Sequence, residues 1–430
     1  MRRRVPRSAF GEWKPESARD PLGLLAEQEK SRIAELLPLR HERMAASPFA
    51  FYRGAAVVMA ADLATLPVTG LRVQVCGDAH IANFGGFGTP ERDIIFDVND
   101  FDETLPGWWE WDVLRMAASV VLAARTLGFS TPTAKRAVRE GVRTYRRGML
   151  RFATLSPVNV WYERIELREL MRQATPAQRR DLRRHLKQSE ASTARRLLPK
   201  LTAGEQPRFV DESQTFRRIG LEGDVAVNAR TVLKKYRESL LPHVRTLIDR
   251  FTLRDMAQKV VGVGSVGTLC LVALFMTEKN DPLILQLKEA DASVLESHLG
   301  RSPFKNHGER VVHGQHLMQA ASDIFLGWTT SEGKDFYVRQ LRDMKISIDL
   351  TSMLPDQLVR YARFCGWTLA RAHARSGDPC AIAAYLGESD RFETSVGRFA
   401  RTYADVTEGD YNLFVKKAHV PEGKDDALTS

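Results

Sequence analysis

Val75–Thr104 reads VCGDAHIANFGGFGTPERDIIFDVNDFDET and sets acidic and amide side chains against two apolar, strand-like runs. The alternation Leu71, Val73, Val75 delivers Asp78, His80 and Asn83 within six residues. A second run, Ile94-Ile95-Phe96, delivers Asp97, Asn99, Asp100, Asp102 and Glu103. Two strand ends that each present carboxylates suit a hard divalent cation such as Mg²⁺, which takes one or two carboxylates together with substrate phosphates. Asp, Asn and Gly are also ordinary turn formers, so one such pair alone reads as a polar hairpin. Two clusters on successive strands point to a functional site.

Before this stretch, residues 1 to about 45 read as a basic arm followed by a helix. After the break at Ser47-Pro48, FAFYRGAAVVMAADLATL reads as one buried helix. Within it Arg53 reads as a snorkelling surface residue, with a phosphate or carboxylate clamp as the alternative. After the stretch, WDVLRMAASVVLAA is apolar nearly all round and predicts a core helix. Asp112 falls in its first turn, where the helix dipole favours a carboxylate. From Pro132 to about Phe251 the chain reads as long, Arg-rich and helical. A strand-rich region from Lys259, a helix over Glu309–Phe325, a strand over Asp335–Arg342 and further helices complete it. These divide the chain into 1–70, 71–255, 256–345 and 346–430.

The 430 residues carry 43% hydrophobic and 27% charged side chains, as expected of a globular chain with a sizeable core. No window reaches the ~18 consecutive apolar residues of a membrane span. The basic start lacks a signal peptide's apolar region. Four scattered cysteines with no CxxC spacing exclude a zinc ribbon or a disulfide framework and fit a reducing cytoplasm. The net charge of +10 attracts polyanions. It is concentrated in Arg179–Lys187 (RRDLRRHLK) and Ala194–Lys200 (ARRLLPK), which read as solvated helix faces, with nucleic-acid binding as the alternative.

Gly262-Val263-Gly264-Ser265-Val266-Gly267 lies between two apolar strands. Glycine admits close approach of a phosphate, and the N–H groups of such a turn form an anion nest. The dinucleotide-binding version leads into a helix. Here Thr268–Leu274 continues as strand, the context of a phosphate-covering kinase loop. A kinase then needs a lysine on the following strand and a helical glutamate to orient it. Lys288 in LILQLKEA fits, with Glu309 as its expected partner and Glu296 as a competitor.

On these motifs the chain resembles the protein-kinase-like superfamily, particularly its aminoglycoside- and choline-kinase branch. CGDAHIAN resembles that branch's catalytic loop, with Cys76 in place of the usual His, and FDVNDFDE resembles its metal-binding segment. The resemblance implies Asp78 as catalytic base, Asn83 as a Mg²⁺ ligand, and a metal-binding aspartate at Asp97 or Asp100. His80 contacts the phosphate or holds the loop. Gly262, Gly264, Ser265, Gly267 and Lys288 would bind ATP. Asp112 resembles the aspartate that steadies the catalytic loop.

The order of the pieces departs from the family, because the glycine loop arrives about 180 residues after Asp78. LARAHARSGD at Leu369–Asp378 also looks like the helix end that normally precedes the catalytic loop. A circularly permuted, two-lobed α+β kinase-like fold with a large helical part is therefore expected.

The chain also resembles DUF2252, a bacterial family of unknown function, in SPFAFYRGAA, CGDAHIANFG, FDVNDFDET, VGVGSVGT and LARAHARSGD. The expected function is ATP- and Mg²⁺-dependent phosphoryl transfer to a small hydroxylated acceptor. Nucleotidyl transfer, non-catalytic nucleotide binding and polynucleotide binding are the alternatives.

Overall fold

The alternating runs around Asp78 form paired antiparallel strands. A computed structural model of the chain describes residues 5–418 apart from 167, 169–171, 173–179, 181–182, 184–186, 188–193, 212–214, 261, 342–345 and 347–348. In it Arg72–Val75 pairs with Leu105–Trp108, and Phe84–Gly88 pairs with Ile94–Val98. The fold is mixed α+β. Among the described residues no helix is long and apolar enough to cross a membrane.

A six-stranded antiparallel sheet forms the other β element. Its order is Gly327–Ser331, Lys334–Gln340, Pro282–Glu289, Cys270–Met276, Thr252–Lys259 and Phe216–Arg218. Period-two alternation assigns its two faces. Ala273, Phe275, Leu285 and Leu287 meet Tyr236 of the helix Gly223–Ser239 and Leu240 just after it on one side. Val272, Leu274, Met276 and Ile284 meet Phe209 and Phe216 on the other. The sheet starts earlier than residue 256. Its edge strand Phe216–Arg218 is three residues with two exposed arginines, too short to show a period in the sequence. For the same reason Ile165–Glu166, Thr202–Ala203 and Arg208–Phe209 are strands inside a region that reads as helical.

The largest core is helical. The helix Trp109–Thr126 is buried along nearly its whole length, as its all-round apolar character predicts. Around it pack Thr131–Phe152, Pro355–Ser376 and Arg391–Ala418. The expected single helix after Ser47-Pro48 is two, Pro48–Gly54 and Ala56–Ala64. Buried Arg40 draws the Gly54 carbonyl out of the helix ladder with a bond of 2.8 Å. The helix expected over Glu309–Phe325 spans His307–Met318, because Asp97 takes the Ala320 N–H (2.9 Å) and Gln319 turns its amide to the Val98 carbonyl (2.6 Å). The run Arg179–Lys187, and with it most of the polynucleotide reading, lies outside the described residues apart from Arg180, Arg183 and Lys187.

Glu110 gives the fold a pH dependence. Its oxygens accept from the Thr69 N–H (2.7 Å) and hydroxyl (2.9 Å), yet burial pushes its carboxyl up from 4.5 to about 7. The folded state therefore binds this proton more tightly than the unfolded chain does. The stability it contributes is full below pH ~4.5 and is lost as pH rises through about 7. Melting temperature recorded across that window is expected to fall with pH, and Glu110→Gln to flatten the slope. An unchanged slope in the variant would contradict the assignment.

Candidate functional site

The loop after Arg72–Val75 is pinned from three sides. Asp112, in the first turn of the helix Trp109–Thr126, accepts from the Cys76 N–H (2.8 Å) and the Gly77 N–H (3.0 Å). His373 meets the same carboxylate at 3.2 Å and the Tyr145 hydroxyl at 2.9 Å. Ser119 accepts from the Ile81 N–H at 3.0 Å, and the Tyr361 hydroxyl donates to the carbonyls of Ile81 (2.7 Å) and Phe84 (2.9 Å). Asp112 thus does steady the loop. The Cys76 side chain is buried in the helical core and is not among the residues lining the cavity.

Within this frame Arg115 donates from Nε to Asp78 Oδ1 at 2.6 Å and from a terminal nitrogen to the Tyr52 carbonyl at 3.0 Å. Burial raises the Asp78 carboxyl and Arg115 partly offsets it. The other oxygen, Oδ2, lies 3.6 Å from His80 Nε2, beyond a hydrogen bond. Burial, then Arg53 and Arg115, hold His80 well below its ordinary range, so it is a neutral ring. Asn83 donates its amide N–H to the Asp78 carbonyl at 2.8 Å, which leaves its amide oxygen as the atom for a cation.

The glycine stretch is the turn of a β-hairpin, since Thr252–Lys259 and Cys270–Met276 pair antiparallel on either side of it. Gly262 (φ 68°) and Gly267 (φ 92°) occupy the left-handed region that other residues avoid. The loop's carbonyls are held by the N-terminal segment. Arg43 binds Gly262 O (2.5 Å), Arg40 binds Val263 O (3.3 Å) and Gly264 O (2.9 Å), and Arg32 binds Val266 O (2.5 Å). The Ile33 N–H binds Gly267 O at 2.8 Å. Carbonyls turned outward in successive peptides leave N–H groups turned the other way, the geometry of an anion nest.

Lys288 is buried on a central strand between Cys270 and Tyr337. Its partner is Asp102, at 2.7 Å, and Asp102 also accepts from the Tyr337 hydroxyl (2.6 Å) and Ser265 (3.3 Å). Burial opposes the charge on Lys288, but Asp102 together with Tyr337 and Asp100 outweighs it. Lys288 lies behind Asp102, which itself lines the cavity. Glu309 is not the lysine's partner. The helix His307–Met318 turns the next residue inward instead, and Arg310 donates to the carbonyls of Asp102, Asp291 and Thr104 at 2.8 Å each. Glu296 sits with Ser293 and His307, also away from Lys288.

Asp97 and Asp100 differ in their surroundings. Asp97 is 1% exposed, pairs with equally buried Arg371, and accepts from the Ala320 and Val98 N–H groups. Asp100 lines the cavity, and among the described residues its hydrogen-bond partner is the Asp102 N–H at 3.1 Å. Burial, then the charge of Asp102, raises the Asp100 carboxyl, a repulsion that a bound cation would relieve. Among the described residues no three His, Cys, Asp or Glu side chains group to hold a metal unaided. Asn83 and Asp100 both line the cavity, and an amide and a carboxylate oxygen are donors of the kind that could hold Mg²⁺ alongside water and substrate phosphates. Asp97 is not among the residues lining the cavity.

Asp78, His80, Asn83, Asp100 and Asp102 share one cavity of about 230 Å³ with Gly262, Gly264 and Ser265. The two stretches, far apart in sequence, are thus brought together; Gly267 and Glu309 stay outside the lining. Arg53 also lines it, which corrects the snorkelling surface role. Arg115, Asp102 as the lysine's partner, and Arg310 were missed. Only Asp102 carried a signal, lying in FDVNDFDE itself.

A family described as "Uncharacterized protein conserved in bacteria (DUF2252)" matches residues 32–417. No curated protein and no solved structure matches the chain.

Proposed function

The chain belongs to the DUF2252 family, and from that premise we propose that it is an ATP- and Mg²⁺-dependent phosphotransferase acting on a small hydroxylated acceptor. The observation that carries the reading is the convergence of the glycine hairpin and the Asp78–Asn83 loop on one cavity. A two-lobed kinase-like fold in circularly permuted order is part of the proposal. It is supported by the end of the helix Pro355–Ser376, where Ser376 accepts from the Gln74 N–H at 3.0 Å and a side chain on Gly377 would collide with Val73. That helix end therefore abuts the strand leading to Asp78, as an unpermuted chain would require.

Phosphoryl transfer needs positioning and charge neutralisation more than covalent help. The loop N–H groups would receive the phosphates. Lys288 is held charged and would exchange Asp102 for phosphate. Asp78 Oδ2, left over from the Arg115 pair, is the atom to take the acceptor's proton. Asn83 and Asp100 would hold Mg²⁺, which supplies neutralisation of the phosphate charge when bound.

Thermal denaturation with each nucleotide, with and without Mg²⁺, tests the reading. At 100 times Kd a ligand adds about 2.7 kcal/mol of stability, a rise of a few degrees. That rise is expected for ATP with Mg²⁺, and ³¹P NMR of candidate acceptors then identifies the product. If no nucleotide moves the melting temperature, the reading is wrong.

A further inference from the structure

Among the described residues, three buried nitrogens without a hydrogen-bond partner belong to residues lining this one cavity: Arg32 Nε, Arg53 Nε and His80 Nδ1. Native structures rarely leave buried donors unpaired, so such a group calls for a ligand or another specific cause. Arg32 spends another nitrogen on the Val266 carbonyl. The Arg53 guanidinium makes no hydrogen bond to any described residue, although Asp78 and Asp100 act on its charge. His80 is 3% exposed, its Nδ1 is buried without a partner, and its Nε2 stands 3.6 Å from Asp78 Oδ2, beyond a hydrogen bond.

Their placement is defined by the helix Pro48–Gly54. Ser47 caps it, accepting from the Ala50 N–H at 3.0 Å, and Phe49, one turn before Arg53, packs edge-on against His80 with ring centroids 6.4 Å apart. The Arg53 backbone faces the glycine loop, since a Cβ built on Gly264 would lie 3.3 Å from the Arg53 carbonyl. Arg53 therefore stands at the seam between the nest that would hold a nucleotide's phosphates and the carboxylate that would deprotonate an acceptor.

We propose that Arg53 and His80 form an oxyanion subsite beside Asp78 that takes the phosphoryl group in transit. In its catalytic aspect this rests on the phosphotransferase reading. The acceptor O–H gives its proton to Asp78 Oδ2 and its oxygen forms the new P–O bond. The bond from the γ-phosphorus to the bridging oxygen breaks, and its electron pair leaves on ADP. Arg53 and the one N–H of neutral His80 donate to the non-bridging oxygens, whose charge the planar guanidinium fork matches.

Inorganic phosphate is the probe. Followed by thermal shift and ³¹P line broadening, the full chain is expected to bind phosphate, and Arg53→Gln to weaken that binding at least tenfold. ADP with Mg²⁺ would bind the variant within about threefold of wild type, while kcat for ATP consumption would fall by about 10²-fold or more with KM little changed. Arg53→Lys, which keeps the charge but loses the fork, is expected in between, and serves if Arg53→Gln melts early without ligand. Phosphate binding that is absent in wild type, or unaltered in both variants, overturns the subsite. Arg53-dependent phosphate binding in a chain that binds no nucleotide supports the subsite and sinks the phosphotransferase reading instead.

Discussion

Asp78→Asn is expected to lower Mg²⁺-dependent ATP consumption by about 10²–10⁴-fold, the usual share of a positioned general base. The substitution keeps the side chain's shape and removes the proton acceptor. It also removes the carboxylate facing Arg115, which is 2% exposed and otherwise bonded to the Tyr52 carbonyl and stacked 4.2 Å over the Tyr52 ring. Some stability is therefore lost along with activity, because a buried guanidinium is left without its counter-charge. The two effects separate in the nucleotide-binding measurement. If Asp78 is the base, ATP with Mg²⁺ still raises the variant's melting temperature by nearly the wild-type increment while turnover collapses. Turnover above about a tenth of wild type would remove Asp78 from the role.

The second large effect distinguishes two aspartates three residues apart. Asp97→Ala is expected to destabilise the chain by about 3–5 kcal/mol in urea denaturation, the cost of breaking a buried ion pair by removing one partner. Arg371 depends on that pair, since its Nε and one terminal nitrogen are buried with no other partner. Asp97 also terminates the helix His307–Met318 through the Ala320 N–H. Asp100→Ala removes a carboxylate whose hydrogen-bond partner among the described residues is the neighbouring Asp102 N–H, and whose charge Asp102 repels, so stability is expected to change little. What it should abolish is the Mg²⁺ dependence of the ATP-induced thermal shift. The reverse pattern would return the metal role to Asp97.

Alternation along Leu71–Val75 and the apolar run Ile94–Phe96 were enough to read out a strand, a polar loop and a second strand, and glycine placement was enough to read the Gly262–Gly267 turn as a hairpin. Both are local: the period-two pleat and the left-handed φ of Gly262 and Gly267 are written into adjacent residues. The core helix Trp109–Thr126 was legible for the same reason. Glu309 failed as the lysine's partner because consecutive helical residues point about 100° apart, so a one-residue error in helix phase replaces a glutamate with Arg310. Arg53 failed because a charge in an apolar helix reads as surface unless one knows what covers it. Here the cover is the glycine loop, about 210 residues later in the chain.

The sequence by itself thus determined the two local pieces, an Asp78–Asn83 loop and a glycine hairpin followed by a strand lysine, together with the helical character of the core. Tertiary structure alone decided that these pieces face each other across one cavity, that Lys288 pairs with Asp102, that Asp97 is locked to Arg371 while Asp100 is left open, and that Arg53 turns inward. The physical reason is the range of the forces involved. Backbone propensity and pleat phase act over a few residues, whereas burial and ion pairing are settled only when elements distant in the chain close over one another.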